Sequence, residues 1–237
     1  MTVHSEAESQ RILAEYERRD RELPADYYSL HRWPNLFMHH EHERLLLNCL
    51  HRCSQVPLTA RRILEVGCGE GTWLQVFERL GAARTNLAGI ELGPDRVETA
   101  RNRVPGAEIL AADAAVLPWP DQTFDVVFQR MMFTSILDAE VRRKAAAEIM
   151  RVLKPDGAMI WVDFFVNPRN PHVRPLGRGD VRALFPGWNA TLFRTTLAPP
   201  LARRLAPFSW SAARALESLK VFNTFFFGYL TSPGRHG

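Results

Sequence analysis

A short, mostly apolar run that ends on three alternating glycines constrains this chain more than any other feature. Ile63-Leu64-Glu65-Val66 is followed at once by Gly67-Cys68-Gly69-Glu70-Gly71-Thr72. An apolar run of that length, closed by glycine, reads as a buried strand of a parallel sheet. Alternate glycines permit a tight turn and let the backbone approach a ligand closely. Trp73, Leu74, Val76, Phe77 and Leu80 then fall at helical spacing as far as Gly81, so the next element is a helix whose first amides face the same crevice. Strand, glycine turn and helix in that order open a βαβ unit.

The alternation continues downstream. Leu87-Ala88-Gly89-Ile90-Glu91 reads as a second strand, Pro94 opens a helix to about Arg103, and Glu108–Ala112 and Phe124–Phe128 read as third and fourth strands. Asp138–Leu153 has a helical pattern that Lys154-Pro155-Asp156-Gly157 is expected to end and turn. Ala158–Val162 is the fifth strand. Beyond Asp163, 167–171 is a loop, Asp180–Phe185 a short helix, Thr191–Leu197 a strand, Pro199 to Lys220 a helical insertion and Val221–Leu230 a last strand. Ahead of all this, residues 5–22 and 38–53 read as cap helices joined by the aromatic segment Tyr27–Pro34, which is free to fold over something. The expected division is a helical cap over 1–55 and a core over 56–237.

An apolar share of 46% and a charged share of 24% are globular values and argue against disorder. Cys49, Cys53 and Cys68 are odd in number and form no C-x-x-C pair, so neither a disulfide framework nor the commonest zinc motif is expected. No run reaches the roughly 18 apolar residues of a membrane span, and the charged, helix-like N-terminus does not read as a signal peptide. A cytoplasmic protein is the expectation. Residues 168–237 carry ten Arg and Lys against Asp180 and Glu217. With arginine outnumbering lysine 27 to 3 and no basic run interleaved with aromatics, this reads as solvated surface and not as a nucleic-acid module.

Acids stand where a ligand would lie. Glu91 ends the second strand twenty residues beyond Gly71, and Asp113 ends the third twenty-two residues later. Open parallel sheets bind ligands at the carboxyl ends of their strands, and an acid after the second strand is placed to bind ribose hydroxyls. A dinucleotide fold would carry G-x-G-x-x-G; here the spacing is G-x-G-x-G, with Glu65 before it and Glu70 inside it. Carboxylates there would repel a pyrophosphate but suit a ligand bearing an amino group and a sulfonium.

The blocks ILEVGCGEGTW, the acid of GIELG, AADAAVLPWPDQTFDVV and AEIMRVLKPDGAMIWVDF, in that order from about Arg61 to Asp163, resemble the class I S-adenosylmethionine-dependent methyltransferases, specifically the bacterial group acting on small molecules. The resemblance implies an α/β, Rossmann-like, seven-stranded and mostly parallel sheet with an antiparallel last strand. Here it would carry the N-terminal cap and a helical insertion over 199–220 between its last two strands. It implies S-adenosyl-L-methionine as cofactor and S-adenosyl-L-homocysteine as product. By the same resemblance Glu65, Gly67, Cys68, Gly69 and Gly71 form the loop holding the methionine part. Glu91 takes the ribose, Leu92 packs on the adenine, and Asp113 with Ala114 receives the adenine edge. Gln129 and Arg130 face cofactor and substrate. Where the family's turn reads Lys-Pro-Gly-Gly, this chain has Lys154-Pro155-Asp156-Gly157.

A hydroxyl acceptor can need a general base. Asp163, at the end of the fifth strand, and His172, in the following loop, are the candidates, with His31, His39, His40 and His42 in the cap. His39, His42 and Glu43 align on a helix as metal ligands would, but nothing downstream completes the set and no metal is expected. The 199–220 insertion suits a lid or the face of a homodimer. The expected activity is methyl transfer to oxygen, with nitrogen as the alternative, on a secondary metabolite or sugar-containing acceptor. A nicotinamide-dependent oxidoreductase and a non-catalytic nucleoside-binding module are the competing classes.

Overall fold

The computed structural model describes residues 3–167 and 170–234. Two helices come first, α1 (Val3–Glu22) and α2 (Trp33–Arg52). The alternating part follows as β1 (Ile63–Val66), α3 (Thr72–Arg79), β2 (Leu87–Glu91), α4 (Pro94–Arg103), β3 (Glu108–Ala111), β4 (Phe124–Arg130), α5 (Ala139–Val152) and β5 (Leu153–Phe164). The chain then forms α6 (Arg178–Leu184), β6 (Asn189–Leu197), α7 (Pro199–Leu205), α8 (Trp210–Ser218) and β7 (Asn223–Thr231).

The seven strands make one sheet in the order β3-β2-β1-β4-β5-β7-β6. β1 to β5 pair in parallel, and β7 runs antiparallel to both β5 and β6. The seven-stranded, mostly parallel sheet with an antiparallel last strand is therefore as expected. The strand order reverses between β1 and β4, so the crevice of an open α/β sheet falls at the carboxyl ends of these two strands.

Alternation along β1 sends its side chains to two cores. Leu64 and Val66 join Ile12, Trp161 and Ile149 on one face, while Ile63 joins Leu46, Phe77 and Phe128 on the other. A third cluster of Phe37, Leu197, Ala202, Ala206 and Ala213 seats the α7–α8 insertion on α2.

Three local expectations shift. α2 begins at Trp33, not at 38, because Pro34 occupies its first turn, where the missing N–H costs nothing. Asn35 Nδ2 anchors that end by donating to the carbonyls of Tyr27 and Ser29. Residues 154–157 do not form a separate turn but lie within β5, whose register against β4 slips between Phe124 and Val126. Lys154 Nζ donates to Asp125 Oδ2 at 2.9 Å and holds this irregular start against β4. The insertion is two helices, with Ser209 capping the second by accepting from Ala212 N.

Candidate active site

The β1–α3 loop takes its shape from glycine. Gly67, Gly69 and Gly71 have φ of +75°, +53° and +79°, a region that side chains other than Gly enter at a cost. Gly67 N and Cys68 N both donate to Ile90 O at 2.9 Å, tying the loop to the end of β2. A Cβ on Gly67 would lie 3.3 Å from Met132, and one on Gly71 3.1 Å from the Ala100 Cβ. The Cys68 side chain turns into the sheet, where its Sγ would lie 2.9 Å from a Cβ on Gly89. Burial pushes its thiol pKa up, so Cys68 offers the site its backbone and no thiolate.

Three carboxylates gather at the strand ends. Glu91 accepts from Gly69 N at 3.0 Å, Leu92 N at 2.9 Å and Gly93 N at 3.2 Å, which fixes it between the first and second βα turns. Asp113 Oδ1 accepts from Ala115 N at 2.9 Å, and its Oδ2 accepts from the Ser5 hydroxyl and, at 3.5 Å, from that of Ser9. Glu65 is buried, and its Oε2 has no hydrogen-bond partner. Burial pushes its carboxyl well above the usual carboxylate range, with Arg130 opposing the shift and Glu91 adding to it.

Arg130 ends β4 beside this acid. Burial lowers its pKa to about 10, against the pull of Glu65 and Asp163. Its Nε donates to His42 Nδ1 at 3.3 Å. Gln129, fully buried, accepts at Oε1 from Met132 N at 3.2 Å and so holds the segment after β4. Met131 takes a left-handed φ of +58° at this point. The strained residue lies on the wall of a cavity, the setting in which such strain recurs.

That cavity holds about 600 Å³ of empty space, its open mouth included. Of the residues expected from sequence, Gly67, Glu91, Leu92, Asp113, Ala114 and Arg130 line it. Glu65, Cys68, Gly69, Gly71 and Gln129 stand in the loop and strand ends around it without forming its wall. Asp163 and His172 do not line it. Asp163 is fully buried and accepts from Thr134, at its hydroxyl and at N (3.3 Å). Burial raises its pKa to about 7. His172 Nδ1 lies 3.4 Å from Glu15 Oε2 on α1.

The first helix supplies the wall that sequence reasoning missed. Glu8, Ser9, Ile12 and Tyr16 line the cavity, so α1, and not the aromatic 27–34 segment, closes it. With Ser5 these residues fall three or four apart, a stripe legible in the sequence, but nothing in the sequence names the surface it covers. Glu8 accepts from Leu137 N, Arg11 donates to Ser135 O, and Arg96 lies over the Tyr16 ring at 3.8 Å. Met131, Met132, Ser135 and Ile136 complete the opposite wall.

The cap histidines part company. His31 and His40 are exposed, His39 pairs with Glu43 at 2.9 Å, and His42 is fully buried. Among the described residues no group of three or more His, Cys, Asp or Glu is arranged to hold a metal ion. Cys49 and Cys53 are buried in the core. Among the same residues no helix is long and apolar enough to cross a membrane.

A cavity rimmed by Glu91 and Asp113, floored by a left-handed glycine turn and backed by a buried acid with one oxygen unpartnered, fits an amino-acid nucleoside. Residues 64–161 match the family described as a methyltransferase domain. The chain is 33% identical over 126 residues to a phthiotriol/phenolphthiotriol dimycocerosates methyltransferase of Mycobacterium leprae, covering 52% of this chain and 45% of that protein. It is 31% identical over 185 residues to a 27-O-demethylrifamycin SV methyltransferase of Amycolatopsis mediterranei, covering 70% of this chain and 66% of that one. Its fold matches a TehB-like SAM-dependent methyltransferase of Corynebacterium glutamicum with a TM-score of 0.56, at 18% identity over 95% of this chain and 98% of the other. These matches bear out the resemblance to the class I S-adenosylmethionine-dependent methyltransferases. It spans about half the length of the mycobacterial relatives it matches.

Proposed function

We propose that this chain transfers the methyl group of S-adenosylmethionine to an oxygen of a small secondary metabolite or sugar-containing acceptor. The observation that carries the cofactor assignment is the buried Glu65 carboxyl, whose Oε2 receives no hydrogen bond within the protein even though Arg130 lies near enough to oppose its pKa shift, so a donor from a bound ligand would satisfy it. In this reading Glu65 accepts from the ammonium of the amino-acid end and Glu91 from the ribose hydroxyls. Asp113 accepts from the adenine amino group beside Ala114, and Leu92 packs on the ring. The names of the mycobacterial and rifamycin relatives support a small-molecule acceptor, and the rifamycin relative's name supports oxygen as the atom methylated.

When bound, the cofactor supplies a sulfonium methyl with a good leaving group, so the protein's contribution can be chiefly positional. Ile12, Met132 and Ile136 give the cavity apolar walls that exclude water beside the polar rim. The loop after β4 is held from below by Gln129 and by Asp163 through Thr134. For the acceptor's proton we assign no base to Asp163 or His172: the first is enclosed by Thr134 and the second is tied to Glu15, both off the cavity wall.

The test is calorimetric binding of S-adenosylhomocysteine and of NADH, followed by a product assay across hydroxyl and amine acceptors. Homocysteine-nucleoside binding with turnover on hydroxyls is expected. Turnover on amines alone would make the enzyme an N-methyltransferase, NADH binding alone an oxidoreductase, and binding without turnover a nucleoside-binding module.

A further inference from the structure

His42 belongs to the cap and not to the methyltransferase motifs, yet it touches the site. It lies on α2, 88 residues before Arg130, and its ring is fully buried among Trp73, Phe225 and Phe227. Arg130 Nε always carries a proton, so the His42 Nδ1 that receives it at 3.3 Å is a lone pair. The imidazole proton then sits on Nε2, which donates to Thr196 Oγ1 at 2.8 Å. Burial and the neighbouring Arg130 keep this ring neutral, as an acceptor for a guanidinium must be.

The far end of the chain is built at a cost. Thr196 is β-branched, fully buried and held at φ +61°, a backbone that such a residue adopts only under tertiary constraint. Three elements from separate parts of the sequence (β6, α2 and β4) thus converge to fix one guanidinium by its Nε. Among the described residues nothing accepts from the two terminal nitrogens of Arg130. Arg130 lines the cavity, and Glu65, whose Oε2 has no hydrogen-bond partner, stands behind the wall close enough for the two charges to act on each other. A fixed cation and an acid side by side match the two charges of an α-amino acid.

We propose that His42 is a positioning residue that orients Arg130 to bind the carboxylate of the cofactor's amino-acid end, making the cap helix part of the cofactor site. The inference rests on the cofactor reading above. It implies that the cap contributes to discrimination between nucleosides with and without an amino-acid tail.

Calorimetry with two probes tests it: S-adenosylhomocysteine, and 5′-methylthioadenosine, which lacks the amino-acid end. His42→Ala is expected to weaken S-adenosylhomocysteine about tenfold and methylthioadenosine less than about twofold. His42→Asn, which keeps an acceptor near Nδ1, is expected to recover to within about threefold. Arg130→Gln is expected to give the same selective loss; if His42→Ala fails to fold by circular dichroism, His42→Phe, which fills the same aromatic pocket without an acceptor, takes its place with the same expected loss. Equal losses for both probes in Arg130→Gln, or no loss in whichever of His42→Ala and His42→Phe folds, overturn the proposal. Failure of the unaltered protein to bind S-adenosylhomocysteine overturns the cofactor reading and this inference with it.

Discussion

The Ser5 hydroxyl donates to the carboxylate of Asp113, joining the first helix to the end of the third strand across 108 residues. The acid to which we assign the adenine edge is thereby engaged by the helix that roofs the cavity. Ser9 adds a second, longer bond to the same oxygen, and Glu8 and Arg11 pin α1 to the loop after β4. In the proposed reading, nucleoside binding and the seating of α1 share one acceptor.

Removing both hydroxyls should loosen that roof. The double variant Ser5→Ala, Ser9→Ala forfeits about 1–2 kcal/mol of hydrogen bonding. Exchange of α1 amides should therefore quicken by about five- to thirtyfold when followed by hydrogen–deuterium exchange. Unchanged exchange would mean that the apolar contacts of Ile12 and Tyr16 alone seat the helix.

Glu65→Gln separates stability from function. Its raised pKa makes the folded state hold a proton that the unfolded chain releases, so the parent loses stability as pH rises above the ordinary carboxylate range. The amide has no such penalty. The melting temperature of the variant is expected to exceed that of the parent, by a margin that widens from about pH 5 to about pH 8. Its affinity for S-adenosylhomocysteine should fall by about ten- to a hundredfold, since a charge-assisted bond is lost.

Asp163 titrates near 7 against an ordinary value of 3.8. Stability tied to its protonated form is fully present below about pH 4 and is lost as pH rises to about 7. Asp163→Asn retains an acceptor for Thr134 without that loss. Denaturant unfolding should show parent and variant nearly equal at low pH, with the variant ahead by a few kcal/mol above about pH 7. A thousandfold fall in kcat with intact S-adenosylhomocysteine binding would instead return Asp163 to the role of base.

The glycines of the loop are not equivalent. At Gly71 a methyl group would meet Ala100 at 3.1 Å at its Cβ and 3.2 Å at its Cα, in a left-handed backbone. Gly69 has the same backbone sign but open space around it. Gly71→Ala should cost about 2–4 kcal/mol and Gly69→Ala about 1. Thermal melts should rank the parent above Gly69→Ala and Gly69→Ala above Gly71→Ala. The reverse order would mean that the α4 backbone at Ala100 yields to the methyl.

What could be read in advance depended on sequence distance. β2, Leu87–Glu91, and α4, Pro94–Arg103, lie where periodicity and the Pro94 start signal put them. The helix of 139–152 begins behind Asp138, whose carboxylate accepts from Glu140 N and Val141 N. The β5 start eluded the same reasoning because Lys154-Pro155-Asp156-Gly157 has the composition of a turn. What ties it to the sheet comes from distant segments: Lys154 to Asp125, 29 residues away, with Gln55 Nε2 donating to Asp156 O and Ser232 Oγ to Pro155 O.

The candidate site divides in the same way. Alternating glycines, an acid at each of two strand ends and apolar runs of strand length are local patterns, and by themselves they determined the sheet, the crevice and its rim. The roof of α1 on Asp113, the His42 ring behind Arg130 and the enclosure of Asp163 under Thr134 were decided only by tertiary structure. Each depends on which faces of distant segments pack together, and that is set by the joint burial of apolar surface, not by the residues adjacent in the chain.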